Sequence, residues 1–383
     1  MVAAVRAGAS QRAVAQRCHV SLLTVQRWVQ RAGRRRLDRV DWADQSHRPR
    51  RIARTPLAVE ERVLTLRRVL CIESALGEFG APAIHRALRE RGDAVIPSVC
   101  TIGRILTRRG ALDGRRRVRR PPPPPGWYLP ALVRRDVELD SFDVIEGLVI
   151  AGGTEVEVLT GVSLHGGLPA AWPGPPVRAT TVVEALVTHW QTWGLPQYAQ
   201  FDNDTRFQGA HQWPDALGRV SRLCLSLGVV PVFVPPREPG FQAAIESFNG
   251  QWQAKVWTRF HHRTRQILRT RSGRYVAALQ QRRASRIDAA PIRQPFPPRW
   301  RLHLQAPPQG HLVFLRRADA HGIVDFLGHR WPVAPAWAHR LVRAEVDFAT
   351  ARVRLYGLRR HAPATQPLLR RVRYVYPRCG FHD

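Results

Sequence analysis

Ala199-Gln200-Phe201-Asp202-Asn203-Asp204-Thr205-Arg206-Phe207 and Pro235-Pro236-Arg237-Glu238-Pro239-Gly240-Phe241-Gln242-Ala243-Ala244-Ile245-Glu246-Ser247-Phe248-Asn249 decide how this chain is read. The first places an acid, Asp202, at the end of a short apolar strand from Tyr198 to Phe201. The second places another, Glu246, on a helix from Gln242 to Phe260. Between them Leu227-Gly228-Val229-Val230-Pro231-Val232-Phe233-Val234 is a β-branched run bounded by Gly and Pro, which reads as a buried strand. Acids brought together from neighbouring elements suit hard divalent cations, Mg²⁺ or Mn²⁺. Two such ions clamp the attacking and leaving oxygens of a phosphoryl displacement.

Acids are scarce in this chain, 29 against 60 Lys plus Arg, and the formal net charge is +31. Lys255 is the only lysine, so nearly all the positive charge is arginine. A field of this sign favours polyanions, nucleic acid first. The five cysteines, at 18, 71, 100, 224 and 379, form no Cys-x-x-Cys pair, so neither a zinc knuckle nor a disulfide framework is indicated. No signal-peptide pattern and no apolar run near membrane-spanning length is present, which points to a cytoplasmic, nucleoid-associated protein with no membrane partner. At 383 residues and 44% hydrophobic content the chain has room for two to four folded domains.

Upstream of the acidic stretch the pattern is helical. Residues 1–36 read as helix, turn, helix, with Ser10 and Ser21 as N-caps and Gln26, Arg27 and Gln30 on a polar face. Such a helix suits the major groove of duplex DNA, with Arg34, Arg35 and Arg36 as a phosphate-contacting arm. A polar linker over 37–55 follows, then a second helical unit over 56–112 whose Arg104 and Arg108 stay on the surface. Residues 113–132 form a basic and proline-rich linker.

From 133 to 290 the order strand, hairpin, helix, strand, helix, strand, helix fits an α/β unit with a mixed sheet. Its first strand, Val137 to Ile145, carries Asp140 and Asp143. On the acidic helix Asn249 and Gln253 share a face with Glu246 and suit DNA contact, with Arg237 and Lys255 as phosphate candidates. Over 305–383 short apolar runs at regular spacing predict a small β-barrel, again suited to DNA.

Asp202-Asn203 at a strand end, followed by Pro239 and by Glu246-Ser247-Phe248-Asn249, resembles the second and third acidic motifs of the DDE transposase and retroviral integrase core. It is most similar to bacterial insertion-sequence transposases with an integrase-type core. Those read Asp-Asn-Gly at the second acid and Pro-x-x-Asn-Gly-x-x-Glu-Arg-x-Asn at the third. Here Asp204 replaces the Gly and Gln242-Ala243 replace the Asn-Gly. The resemblance implies a ribonuclease H-like core between helix-turn-helix heads and a small barrel. It implies two Mg²⁺ ions (or Mn²⁺) held by Asp140, Asp202 and Glu246. Asp143 is the alternative first acid; three residues apart on a strand, Asp140 and Asp143 cannot share a face. The activity implied is transposition: cutting element ends and joining 3′-hydroxyls to target DNA, by a homo-oligomer on double-stranded DNA. A domesticated, inactive DNA-binding regulator is the alternative.

Overall fold

The computed structural model describes residues 1–43, 55–112, 126–210, 213–238, 240–360, 362–377 and 381. The basic and proline run from Arg115 to Pro125, most of the 37–55 linker and Pro239 lie outside the described residues. The chain divides into two units, Met1–Ala58 and Val59–Asp383.

The first unit holds α1 (Val2–Arg6), α2 (Gln11–Arg17) and α3 (Leu22–Ala32). Both expected caps are made: Ser10 Oγ accepts the Ala13 amide and Ser21 Oγ the Thr24 amide. His19 turns the chain between α2 and α3 at φ +51°. Val14, Ala15 and Val25 form the small core. α1 was not expected, because no capping residue precedes it; Val2 packs with Ala32 and Val40.

The second unit opens within α4 (Leu57–Glu73), followed by α5 (Ala81–Glu90) and α6 (Val99–Arg108), and the three pack through Val63, Leu66, Ile84, Leu88, Ile102 and Leu106. A short α7 (Pro130–Val133) leads into β1 (Leu139–Ile150), β2 (Thr154–Ser163) and β3 (Pro169–Gly174). Then come α8 (Ala179–Trp193), β4 (Tyr198–Phe201), α9 (Thr205–Gln208), α10 (Arg219–Ser226) and β5 (Val230–Phe233). α11 (Ala243–Trp252) passes into a π-helical turn, Gln253–Trp257, before α12 (Arg265–Arg282) and α13 (Ala284–Asp288). The remaining strands are β6 (His311–Arg317), β7 (Ile323–Phe326), β8 (His329–Pro332), β9 (Leu341–Asp347), β10 (Arg352–Gly357) and β11 (Leu368–Arg373).

The sheet is mixed, as expected. β1 pairs antiparallel with β2 and parallel with β4; β4 and β5 are parallel. α11 and α12 cover β1 and β2 on one face through Ile245, Phe248, Trp252 and Leu268, against Ile145, Val158 and Val162. α8 and α10 cover the other through Leu186, Trp190, Val220 and Leu223.

The separate C-terminal barrel expected over 305–383 is corrected here. β6 lies parallel to β5, and β9, β10 and β11 continue outward, so one nine-stranded sheet runs β11-β10-β9-β6-β5-β4-β1-β2-β3. Among the described strands only β7 and β8 stand apart, as a hairpin. The physical reason lies in β6. Leu312-Val313-Phe314-Leu315 is a continuous apolar run buried on both faces, which is the pattern of a central strand.

A row of rings locks the arrangement. Phe142 of β1 stacks on Phe201 of β4 at 5.7 Å between centroids, Phe201 meets Phe233 of β5 at 6.0 Å, and Phe233 stacks on Phe314 of β6 at 5.4 Å. Phe314, Phe326 and Trp331 extend it into the β7–β8 hairpin at 5.0 and 5.1 Å. A chain ending at Gln305 therefore loses the neighbour of β5 and three rings of the row. It is expected to lose cooperative thermal unfolding; a truncated chain that melts sharply near the temperature of the full chain would show that the core folds without β6.

Candidate active site

Two faces of β1 do different work. Ser141 and Gln200 are register partners between the parallel strands β1 and β4. Two residues further along each chain, on the same side, stand Asp143 and Asp202. Neighbouring strands lie about 4.8 Å apart, so the two carboxylates face one another at the carboxyl end of β4. Glu246 lies in the first turn of α11, exposed, and its charge reaches Asp143.

The electrostatics agree with that geometry. Asp143 is pushed up to about 6, first by burial and then by the carboxylates of Asp202 and Glu246, against hydrogen bonds from the Val144 amide and Asn249. Asp202 is also raised, first by burial, with Asp204 and Glu146 adding negative charge and the Asp204 amide and Arg206 opposing. Paired carboxylates resist joint ionisation in this way.

Asp143 is held by a neighbouring side chain, and the loop that carries Asp202 is tied down. Asn249 sits one helical turn beyond Glu246, only 9% exposed. Its Nδ2 donates to Asp143 Oδ2 at 2.7 Å, and its Oδ1 accepts from Thr160 Oγ1 at 2.7 Å. The DNA contact expected of Asn249 is therefore corrected: the side chain is buried and positions Asp143. Asn203, beside Asp202, donates from Nδ2 to Val234 O at 2.7 Å and accepts from Arg316 at 2.8 Å, tying the ends of β4, β5 and β6 together. Asp204, where the resemblance calls for glycine, is the N-cap of α9, and its carboxylate bonds Arg206 Nε at 2.8 Å.

Asp140, expected as the first acid, points the other way. It is 1% exposed and receives Arg293 through two nitrogens, at 2.9 and 2.5 Å, and Trp190 Nε1 at 3.1 Å. Burial alone would raise its pKa. The charge and hydrogen bond of Arg293 prevail, helped by His189 and Trp190, and the group is held below the usual carboxylate range. Asp140 is thus an internal ion pair that anchors the segment after α13; the acid on the Asp202 face is Asp143. Alternation along β1 separates the two acids, but it does not say which face meets α11. Arg293, about 150 residues away in sequence, could not be read at all.

The other expected site residues divide similarly. Gln26, Arg27 and Gln30 on α3 are exposed, as are Arg34, Arg35, Arg36, Arg104 and Arg237. Gln253 is half-buried in the π-helical turn. Arg108 is paired, with Arg109, to the buried carboxylate of Glu60. Lys255 donates to Gly77 O at 3.0 Å and lies over Phe79, so its ammonium fastens the α4–α6 unit to the core rather than standing free for phosphate. Arg259 does the same by capping the end of α4, donating to Ser74 O, Cys71 O and Ile72 O at 2.6, 2.9 and 3.0 Å.

The donors are hard carboxylate oxygens, which fit Mg²⁺ or Mn²⁺. Among the described residues, however, no three His, Cys, Asp or Glu side chains stand close enough together to hold one ion. Asp143 and Asp202 are the pair a cation would relieve, with Glu246 beside them.

No family model matches the chain, and no curated protein matches its sequence. Solved structures similar to it include the catalytic core domain of BIV integrase, at 17% identity and TM-score 0.27, covering 37% of this chain and 83% of that one. The HTLV-2 integrase catalytic core domain in complex with magnesium is similar at 12% identity and TM-score 0.27, over 37% and 86%. A simian T-cell lymphotropic virus intasome in complex with PP2A regulatory subunit B56 gamma is similar at 13% identity and TM-score 0.30, over 69% and 84%. No helix among the described residues is long and apolar enough to cross a membrane.

Two expectations follow. The folded chain keeps a proton on Asp143 up to about pH 6, whereas the unfolded chain releases it near the ordinary aspartate value of about 3.9. The raised group therefore takes stability away as pH rises from about 4 to about 6. Asp143→Asn is expected to raise stability at pH 7.5 by about 1–3 kcal/mol and to add much less at pH 4.5, as read by urea unfolding; an equal effect at both pH values would contradict the shift. Arg293→Met leaves Asp140 buried without its cation and is expected to cost about 3–5 kcal/mol; a loss under about 1 kcal/mol in the same assay would place the pair in solvent.

Proposed function

We propose that the chain is a DNA strand-transfer enzyme of the transposase and integrase type, with Asp143, Asp202 and Glu246 as its reacting centre. One observation carries this reading: the β1–β4 register that sets Asp143 opposite Asp202, with the charge of Glu246 felt at Asp143. The sequence resemblance at Asp202-Asn203 and Glu246 to Asn249 and the net charge of +31 support it. Asp140 takes no part in the reaction in this reading.

Mg²⁺ or Mn²⁺, when bound by these carboxylates, supplies charge stabilisation for the attacking and leaving oxygens of phosphoryl transfer. The chain's own groups prepare the place. Asn249 and Thr160 fix the Asp143 carboxylate. Asn203 and Arg316 fix the loop that carries Asp202. Because carboxylates bind metal deprotonated, and Asp143 loses its proton at about 6, metal affinity rises through that pH. No Ser or Tyr nucleophile is required: water attacks a phosphodiester at the element end and breaks its P–O3′ bond, and the freed 3′-hydroxyl then attacks a target phosphodiester, displacing that strand's 3′-oxygen. The exposed Gln26, Arg27 and Gln30 read the groove, while Arg34, Arg35, Arg36 and Arg104 hold phosphates. Joining two ends calls for more than one copy, so the working form is a homo-oligomer on DNA.

A catalytically inactive DNA-binding regulator is the second reading. It is favoured by the absence of a closed three-acid cluster among the described residues and by Asp204 and Gln242-Ala243 in the motif loops. The purified chain, given Mg²⁺ or Mn²⁺ and the DNA flanking its own gene, is expected to nick at defined 3′ ends. Asp143→Asn, Asp202→Asn and Glu246→Gln abolish nicking with DNA binding retained, while Asp140→Asn, where it folds, keeps it. Nicking that survives Asp143→Asn but not Asp140→Asn would reverse the assignment. Tight binding without nicking under either metal would establish the regulator.

A further inference from the structure

The three acids proposed to react come from three elements, β1, β4 and α11, and one buried side chain beneath them touches all three. Gln200 belongs to β4, two residues before Asp202 and on the same side of the sheet. It is 1% exposed. Its Nε2 donates to Ser141 Oγ of β1 at 3.3 Å and to Phe241 O at 3.0 Å. Ser141 stands two residues before Asp143 and pairs with Gln200 in the β1–β4 register. Phe241 directly precedes Gln242, the N-cap of α11, and the Glu246 amide donates to Gln242 O at 2.9 Å. The peptide that Gln200 grips is thus one step from the peptide on which Glu246 hangs.

The surroundings fix the orientation of this amide. Phe241 O can only accept, so it takes the NH₂ end, whose two hydrogens go to Phe241 and Ser141. That leaves Gln200 Oε1 in the interior as an acceptor. Tyr128 supplies its proton, the phenol hydroxyl donating to Gln200 Oε1. Burial pushes the Tyr128 phenol above its usual value, so it stays protonated and able to donate. The place of Tyr128 is set by other contacts. Its ring and that of Trp127 pack on Phe241 at 5.2 and 5.4 Å between centroids, and Gln366 Nε2 donates to Tyr128 O at 3.2 Å.

The layer around Gln200 is otherwise apolar, filled by Leu139, Val230, Val232 and Val313. Packing there would be served equally well by another apolar side chain. Hydrogen bonds add direction, and a buried network whose members are satisfied rigidifies the place where it sits. Direction is what setting Glu246 against Asp143 and Asp202 demands.

We propose that Gln200, held by Tyr128, is a positioning residue of the reacting centre: it sets the start of α11, and with it Glu246, against the carboxylates of β1 and β4. The proposal rests on the strand-transfer reading and adds to it two residues that touch neither DNA nor the reacting atoms. Removing the Tyr128 hydroxyl strands Gln200 Oε1, and an unmet buried acceptor costs free energy. The amide recovers that cost by turning over to accept from the Ser141 hydroxyl. Its NH₂ end then leaves Phe241 O, and α11 loosens at its start while the rings keep their packing.

The test uses the full-length protein with Mg²⁺ and the DNA flanking its own gene. Tyr128→Phe is expected to nick about ten- to a hundredfold more slowly, the scale of a small misplacement of a reacting group. Its KM for DNA is expected to stay unchanged, with a melting curve that shows the variant folded at the assay temperature. Hydrogen exchange without metal is expected to run about tenfold faster at the amides of Glu246 to Asn249 and to stay as in the wild type in α8 and α10. Gln200→Met is expected to slow nicking at least as much, and the double variant no further, because Tyr128 acts through Gln200. Nicking by Tyr128→Phe at the wild-type rate, a loss confined to KM, or losses that multiply in the double variant would overturn the proposal and leave the strand-transfer reading standing. A wild-type chain that binds DNA and does not nick overturns both.

Discussion

The register of the parallel strands is the constraint on which the rest of this molecule depends. A one-residue slip of β1 against β4 would turn Asp143 away from Asp202 and bring Asp140 onto the active face, because side chains alternate along a strand. The slip is opposed by the ring row on the opposite face. Phe201 and Phe233 are register partners, as are Phe233 and Phe314, and Phe142 stacks on Phe201. Offset aromatic contacts of this kind add about 0.5–1.5 kcal/mol each beyond the area they bury. Four strands are thereby indexed by four rings, and the acids on the other face inherit the indexing.

The two faces of β1 also show how a buried carboxylate is managed in two ways. Asp140 is neutralised permanently by Arg293, with Trp190 taking a further lone pair. Among the described residues Asp143 has no cation and instead keeps neutral donors, Asn249 and the Val144 amide, which leave its charge unmet. The first solution suits structure, since nothing further need bind. The second leaves an electrostatic demand, which the proposed function assigns to a divalent cation. Arg206 plays a third part: it gathers Asp204 and Glu157 at 2.6 and 3.1 Å and also binds Glu146, and its charge opposes theirs at Asp202.

Much of the architecture was legible in the sequence because it is local. Ser10, Ser21 and Ser98 announce their helices by capping chemistry, and β5 announces itself as an apolar run between Gly and Pro. The places of Asp202 after a strand end and of Glu246 near a helix start were readable because both elements show within a single stretch of chain. What failed was what depends on partners distant in sequence. The choice of Asp140 over Asp143 turned on which face meets α11, and that is fixed by Asn249 and Arg293, 106 and 153 residues away. The assignment of 305–383 to a separate barrel counted short strands and spacings, and overlooked that Leu312 to Leu315 do not alternate. Lys255 looked like a phosphate ligand because a charge near an acidic helix has no visible partner until Gly77 is folded beside it.

The central claim is that Asp143, and not Asp140, shares its environment with Asp202 and waits for a cation. Carbon-detected NMR titration of the aspartate carboxyls, with and without Mg²⁺, measures this most directly. One aspartate is expected to titrate near pH 6, to vanish from the spectrum of Asp143→Asn but not of Asp140→Asn, and to move to lower pH when Mg²⁺ is added. If every aspartate titrates in the ordinary range and none responds to Mg²⁺, the facing pair does not exist as described, and the site built on it falls.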